Sequence, residues 1–324
     1  MRYILLSLFF CLFGCSENKS IEDTEVDNDT VHPLENTYSK ESGKQPSKSA
    51  AIVLPELPSY VDEEGYLIIE DTALEVRLRE VANIKEGRIP QSDLAHIRTL
   101  KVTDSGIENI NVLGELSSLE YLDISNNRVT DIKPLIKLRK LSELWLSGNR
   151  ITSIDSIKYL SELEVLEAND NKLKIIEITT EMPSLERISL SKNNIYSIEF
   201  ITKFKNLSYL NLIGNELVDI DFISGNESLH TLLLSTNNIS DVSAIASLSK
   251  LKQLHLARNQ IIDLSPLAGL SNLEELEIRN NQISDIDPLK ELLSIKKIHL
   301  WENPVPPLEI AALKRALPLA KVGF

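Results

Sequence analysis

Residues 119–140 read LEYLDISNNRVTDIKPLIKLRK, and residues 141–162 read LSELWLSGNRITSIDSIKYLSE. Both segments carry aliphatic side chains at positions 1, 4, 6, 11, 14, 17 and 20, and both carry asparagine at position 9. Units with this 22-residue spacing follow one another without a slip in register, and the last unit is partial. They begin at Ile97, Leu119, Leu141, Leu163, Leu185, Leu207, Leu229, Leu251, Leu273 and Ile295. A strict period of this length predicts an array of stacked coils, numbered here from coil 1 at residue 97.

The pattern within each coil predicts its local structure. Alternating aliphatic residues at positions 4 and 6 indicate a short strand that turns positions 3, 5 and 7 towards solvent. The asparagine at position 9 is replaced only in coil 1, by Ser105, and is expected to bond backbone groups where the chain leaves the strand. Aspartate at position 13 and proline at position 16, as at Asp131 and Pro134, favour tight 3₁₀ turns on the opposite side.

The repeated pattern L-x-x-L-x-L-x-x-N-x-I-x-D-I-x-P-L resembles the leucine-rich repeats of bacterial internalins, over about 210 residues. The resemblance implies an α/β repeat fold, a leucine-rich-repeat solenoid with a parallel concave sheet, a convex side of 3₁₀ turns and helical caps. The N-terminal cap is placed at residues 55–96, the repeats at 97–305 and the C-terminal cap helix at 306–324.

Two segments are expected to depart from the regular coils. In the N-terminal cap, a capping-box spacing begins at Thr72, and Leu74, Leu78 and Val81 share one apolar helical face. In coil 4, alanine replaces a large aliphatic residue at position 6 and Thr179 occupies position 17. We therefore expect a softer or rebuilt coil 4.

The N-terminus carries a separate signal. An apolar run of ten residues, from Ile4 to Phe13, is too short to span a bilayer and is typical of a signal peptide. The following Gly14 and Cys15 complete a segment that resembles the lipobox of bacterial lipoproteins, although phenylalanine at position 13 is unusual there. The resemblance implies a signal peptide at 1–14, acylation of Cys15, and an outer-membrane location if the organism has one. An ordinary secretory signal is the alternative.

The rest of the composition narrows the class of function. Residues 15–54 are polar, acidic and poor in apolar residues, which predicts a disordered tether between the lipidated cysteine and the fold. A net charge of −14 argues against nucleic acid as a partner. The sequence has no phosphate-binding glycine loop, nucleophile elbow or zinc-protease motif, so we predict a monomeric binding protein without cofactor, metal or enzymatic activity.

The exposed strand positions supply the candidate binding residues. One apolar cluster is expected at Tyr121, Trp145 and Val165 on adjacent strands, and aromatic residues on a rigid sheet are typical anchors for a protein partner. A second cluster is expected at Tyr209, Ile213 and Leu233.

A third group of candidates lies near the C-terminal end of the array. His255, Glu277 and His299 occupy position 5 of consecutive coils, and Trp301 follows in the same face. A cross-strand ladder of charges and hydrogen bonds is favoured over a shared divalent ion. The alternative function is an envelope structural protein that binds glycan or cell wall, in which the aromatic residues would stack on sugar rings, namely Tyr121, Trp145, Tyr209 and Trp301.

Overall fold

The computed structural model describes residues 54–324, which belong to a single compact unit. The predicted signal peptide (1–14), Cys15 and the predicted tether up to residue 53 lie outside the described residues. Within the described part, no helix has the length and apolar character needed to cross a membrane.

The described chain forms one parallel sheet whose strands follow each other in sequence order, and this confirms the predicted solenoid. Neighbouring strands pair at an offset of 22 residues, as in Thr99 with Tyr121. The strands are β1 (Thr99–Lys101), β2 (Tyr121–Asp123), β3 (Glu143–Trp145), β4 (Val165–Glu167), β5 (Arg187–Ser189), β6 (Tyr209–Asn211), β7 (Thr231–Leu233), β8 (Gln253–His255), β9 (Glu275–Glu277), β10 (Lys297–His299) and β11 (Lys321–Gly323).

Short 3₁₀ helices cover the opposite side of the stack. An aspartate at position 13 starts several of them, because its carboxylate accepts the backbone N–H two residues ahead; Asp131 does so with Lys133 at 2.8 Å. The 3₁₀ helices are Asn111–Glu115, Lys133–Lys137, Asp155–Tyr159, Glu199–Lys203, Asp221–Gly225, Ser243–Ser247, Ser265–Leu267 and Asp287–Glu291. The aliphatic rows between strands and 3₁₀ helices form one continuous buried core.

The asparagine at position 9 joins each coil to the coil before it, as predicted. Asn127 Nδ2 donates to the carbonyl of Val102 in coil 1 at 2.7 Å and to that of Ile124 in its own coil at 2.9 Å. Its Oδ1 accepts the N–H of Ile107 in coil 1 at 3.0 Å. Buried backbone groups at the end of each strand are thereby satisfied.

The residue at position 8, just before each asparagine, adopts a left-handed backbone conformation in all ten coils. Asparagine, aspartate and glycine tolerate this conformation, whereas a β-branched residue such as Thr236, at φ 60°, is strained by it. The full set is Asp104, Asn126, Gly148, Asp170, Lys192, Gly214, Thr236, Arg258, Asn280 and Glu302.

Coil 4 is rebuilt, as its sequence predicted. No 3₁₀ helix lies between β4 and β5. Thr179 at position 17 is exposed, and Ile178 at position 16 is buried in its place. The change leaves a groove of about 450 Å³ on the convex side, bordered by Ile175 and Phe200.

The N-terminal cap contains helices α1 (Thr72–Ala82) and α2 (Gln91–Leu94). Asp71, and not Thr72, is the N-cap of α1, and its Oδ1 accepts the N–H groups of the second and third helical residues. The predicted apolar face is only partly right, since Leu74 and Leu78 are fully buried but Val81 is 45% exposed. Val81 is at the C-terminal end of α1, beyond the surface that the first coil covers.

Asp71 also ties the cap to the repeats. Its Oδ2 accepts the N–H groups of Glu108 and Asn109 in coil 1, at 2.8 and 3.0 Å. Burial disfavours ionisation of Asp71, but the four backbone N–H groups outweigh it and hold the pKa of this carboxyl below its usual value.

The C-terminal cap differs from the single helix predicted for residues 306–324. Helix α3 (Pro307–Ala316) takes the place of a 3₁₀ helix, and the chain then returns to the sheet as β11. This extra strand pairs with β10 at an offset of 24 residues, as in Lys297 with Lys321. Residues 321–323 were not predicted as a strand, because the segment after α3 lacks the asparagine and the leucine spacing of the repeat. The offset of 24 residues, two more than in the repeat, also breaks the period.

Candidate binding surface on the concave sheet

The strand positions that face away from the core are more buried than the sequence suggested. Side chains on a concave sheet converge, so central residues are covered by their neighbours on adjacent strands. At position 5, Asp123 and Glu167 are each 5% exposed and Leu233 is 9% exposed. The prediction of Leu233 as an exposed binding residue was therefore wrong.

The first predicted cluster is brought together. The rings of Tyr121 and Trp145 lie 6.5 Å apart between centroids, tilted by 36°. Tyr121, Glu143 and Val165 occupy neighbouring strands in direct register, so Glu143 lies between the two apolar side chains. All four are half-buried, and we call them the N-terminal patch.

Glu143 was not among the predicted site residues, although its position 3, between an aromatic and an aliphatic neighbour, could have indicated it. Its Oε2 accepts a long hydrogen bond, 3.4 Å, from Trp145 Nε1. Burial raises the pKa of the nearby Tyr121 hydroxyl, and the charges of Asp123 and Glu143 add to this effect. The patch therefore combines two aromatic rings with negative potential.

The carboxylates on either side of Glu143 already have basic partners. Asp123 lies 3.4 Å from Lys101 Nζ, and Glu167 lies 2.9 Å from Arg187 Nε. Residues 54–324 form no ion pair with Glu143 itself.

The second predicted cluster does not form an open apolar patch. The guanidinium of Arg187 lies 3.5 Å from the ring centroid of Tyr209 and covers it. Burial raises the pKa of Tyr209, against the effect of the arginine charge. Ile213 is half-buried and Leu233 is buried, so little apolar surface is left for a partner. The covering arginine comes from the preceding strand, β5, and the sequence places it beside Tyr209 without showing that its side chain turns over the ring.

The third group is in register as predicted, but it divides into separate contacts. His299 Nδ1 lies 2.6 Å from Glu277 Oε2. His255 instead contacts Gln253 at 3.1 Å and lies 3.8 Å from Glu275. Among residues 54–324, no three or more His, Cys, Asp or Glu side chains are placed to hold a metal ion. The arrangement is a ladder of pairs.

Burial lowers the pKa of the His255 imidazole below its usual value, because the buried ring loses the hydration that stabilises its charged form. The carboxylates of Glu275 and Glu277 oppose this shift without cancelling it. The histidine therefore favours its neutral form in the folded protein.

Trp301 is partly occupied by contacts within the chain. Its indole stacks on the ring of His299 at 4.6 Å between centroids. It also packs on the backbone of Gly323 in β11, so closely that an added Cβ would lie 2.7 Å from the indole. Trp301 remains 39% exposed, and the extra strand accounts for the surface it loses.

The repeat pattern matches a known family. A family model described as Leucine Rich repeats (2 copies) matches residues 117–159, 183–225, 227–269 and 271–311, just over half of the chain. The chain belongs to the leucine-rich-repeat family. The unmatched stretch between the first two of these ranges covers most of coil 4, the coil without a 3₁₀ helix.

Solved leucine-rich-repeat structures resemble the fold. Internalin C2 of Listeria monocytogenes is 30% identical, with a TM-score of 0.54 over 71% of this chain and 93% of that chain. Another internalin of this bacterium is 25% identical, with a TM-score of 0.51 over 82% and 93%. None of the curated proteins matches the chain.

A plant protein shares the fold alone. The ectodomain of a membrane receptor kinase from Arabidopsis thaliana, in complex with Casparian strip integrity factor 2, is 23% identical. Its TM-score is 0.58, over 71% of this chain and 29% of that chain. Leucine-rich-repeat proteins generally mediate protein–protein interaction, and internalin-like members are typically binding modules without enzymatic activity.

Proposed function

We propose that the protein is a lipid-anchored, monomeric binding module of the bacterial cell envelope, and that it docks a protein partner on its concave face. The observation that carries this proposal is the N-terminal patch, where Tyr121 and Trp145 lie side by side on a rigid sheet. Large aromatic side chains held in place bury much area on binding and lose little conformational entropy.

The anchor is proposed from the sequence. Acylation of Cys15 would hold the protein on the membrane, at the outer membrane if the organism has one. The similarity of residues 12–15 to a lipobox supports this assignment, as does the abrupt change to polar residues after Cys15. Two or more acyl chains give stable anchoring where a single chain gives only marginal binding.

Glycan or cell-wall binding is the weaker candidate. It needs several free aromatic faces along the sheet, but Arg187 covers Tyr209, and Trp301 packs on His299. The remaining rings, Tyr121 and Trp145, are adjacent and offer one contact area, which favours a compact protein epitope over an extended sugar chain.

Crosslinking in intact cells tests the docking site. A photoreactive amino acid replaces Trp145, and a matched control places it at Ile262, which is 60% exposed and outside the sheet. We expect a discrete protein adduct from position 145 and none from position 262. Equal adducts from both positions, or an adduct with glycan only, would overturn the proposed docking site.

Metabolic labelling tests the anchor. The wild-type chain is expected to incorporate radiolabelled palmitate and to fractionate with membranes, and Cys15→Ser is expected to do neither. Cys11→Ser is the matched control, because Cys11 lies within the predicted signal peptide. Release of the wild-type protein into the soluble fraction would contradict the anchor while leaving the docking site open to its own test.

A further inference from the structure

The N-terminal patch contains a carboxylate, that of Glu143, which forms no ion pair with any side chain of residues 54–324. Glu143 lies between Tyr121 and Val165 in the register of the sheet, and within the described part of the chain its carboxylate accepts a single hydrogen bond, from Trp145 at 3.4 Å. A half-buried carboxylate beside apolar side chains has lost part of its hydration and gains from a positive partner. The patch is therefore selective by charge as well as by shape.

The same sheet shows how such a carboxylate is satisfied. Arg187 lies between Glu167 and Tyr209, with its Nε 2.9 Å from the carboxylate and its guanidinium 3.5 Å from the ring centroid. A guanidinium suits this arrangement because its edge donates hydrogen bonds while its flat face stacks on an aromatic ring. The carboxylate–arginine–aromatic arrangement is thus already present two coils away from Glu143.

We propose that Tyr121, Glu143 and Trp145 form a subsite for an arginine side chain carried by the protein partner. The inference rests on the proposed function and names the chemistry that the docking site recognises. The two rings are 6.5 Å apart, and Glu143 Oε2 lies 3.4 Å from the indole Nε1 of Trp145. A guanidinium that binds this carboxylate can therefore also approach an aromatic face, and a ring attracts a cation within about 6 Å of its centroid.

The overall charge favours the same kind of partner. Residues 54–324 contain 40 acidic and 29 basic side chains, a net charge of −11, which attracts a basic surface over a distance set by the ionic strength. The corresponding acidic residues of β9 do not compete for an incoming arginine, because Glu275 is paired with Lys297 at 3.1 Å and Glu277 with His299 at 2.6 Å.

Peptide binding to the purified full-length protein in detergent tests the subsite. The probe is the N-acetylated and C-amidated peptide (Gly-Arg)₄, and Trp145 emission reports binding in a Trp301→Phe background, since the chain has two tryptophans. We expect saturable quenching, and Glu143→Gln is expected to raise the Kd about fivefold. The matched control, Glu275→Gln, changes the net charge equally and should leave the Kd within about twofold.

Two further peptides separate the chemistry from general charge attraction. The citrulline analogue of the probe, which is neutral, should not bind measurably, and (Gly-Lys)₄ should bind more weakly than the arginine peptide. Equal effects of the two glutamate variants, equal binding of the lysine peptide, or binding of the neutral peptide would overturn the arginine subsite.

Failure of the subsite is distinguishable from failure of the proposed function. Position 145 still crosslinks to a protein partner in the Glu143→Gln background if the partner docks there without an arginine. Absence of any protein adduct in both backgrounds counts against the docking site itself.

Discussion

The two ends of the sheet are built from one repeat but offer different surfaces. Around β3, the carboxylate of Glu143 has no basic partner among residues 54–324 and lies beside two aromatic rings. Around β9, Glu274, Glu275 and Glu277 are bonded across strands, at 2.5, 3.1 and 2.6 Å, to a lysine or a histidine. The carboxylates around β9 are thus paired across strands, whereas Glu143 at the N-terminal end is available to the partner proposed above.

The left-handed residue before each asparagine also differs between the two ends. Coils 1–4 use Asp104, Asn126, Gly148 and Asp170, which all tolerate the conformation. Coils 7, 8 and 10 place threonine, arginine and glutamate there. The aliphatic core positions and the position-9 asparagines maintain the fold in both halves. The exposed strand residues and the residue at position 8 can therefore differ from coil to coil. Coils 1–4 therefore combine the N-terminal patch with turn residues that tolerate the left-handed conformation.

The largest expected effect separates the two surfaces. Tyr121→Ser combined with Trp145→Ser should weaken capture of the crosslinked partner about 100-fold, because two anchoring rings are lost. His255→Ser combined with His299→Ser, at the other end, should change it by less than about threefold. Capture is measured with immobilised variants whose melting temperatures are recorded in parallel. Loss of capture in the His255→Ser, His299→Ser variant, with capture retained in the other, would show that the partner docks at the C-terminal end of the sheet.

A turn substitution in the N-terminal half should destabilise the fold. Gly148 has φ +71°, and an added Cβ would lie against Asn126 Oδ1. Gly148→Ala is expected to lower the free energy of unfolding by about 2 kcal/mol or more, from the left-handed backbone and the clash. Gly269→Ala is the control, because a Cβ there meets nothing within 4 Å. Urea denaturation measures both, and equal stability of the two variants would contradict the strain argument.

Exchange of turn residues between the halves should shift stability in opposite directions. Thr236→Asn is expected to stabilise the protein by about 1 kcal/mol, since asparagine accepts the left-handed conformation that threonine resists. Asn126→Thr should destabilise it by a similar amount, about 1 kcal/mol. Thermal unfolding monitored by circular dichroism compares the pair. Stability changes of the same sign in both variants would show that the left-handed conformation at position 8 does not determine these changes.

The smallest effect is a pH dependence confined to the C-terminal end. Burial lowers the pKa of His255 below its usual value near 6.5, so the unfolded state binds its proton more readily than the folded state. The contribution of His255 to the free energy of unfolding is fully present above its pKa in the unfolded state. It is lost as the pH falls through about 6.5 towards its pKa in the folded state. Between pH 7.5 and 5.5, wild type should therefore lose more unfolding free energy than His255→Gln. A larger loss in the variant would contradict the assigned direction.

The sequence was sufficient for features that depend on the repeat. The 22-residue spacing predicted the strand register and the asparagine bonds, and the residue changes in coil 4 predicted a softer or rebuilt coil, because each depends on the residue type at a fixed position. Contacts between side chains on the exposed face of the sheet were harder to predict. The cover of Tyr209 by Arg187 depends on which rotamer reaches across a strand, and the burial of Leu233 depends on the curvature of the sheet.

The bonds of each position-9 asparagine have a direction along the chain. The N–H of Ile107 and the carbonyl of Val102 are bonded by a side chain of the following coil, Asn127, and the same relation recurs along the stack. During synthesis from the N-terminus, the backbone groups at the end of the newest strand therefore have no asparagine partner until the following coil has been made. Removing the last coil takes away the asparagine side chain that accepts the N–H at position 11 of the coil before it, as Asn127 does for Ile107. Removing the first coil leaves Asn127 bonded to Ile124 of its own coil, but takes away the carbonyls that accept the N–H groups of Tyr121 and Arg128.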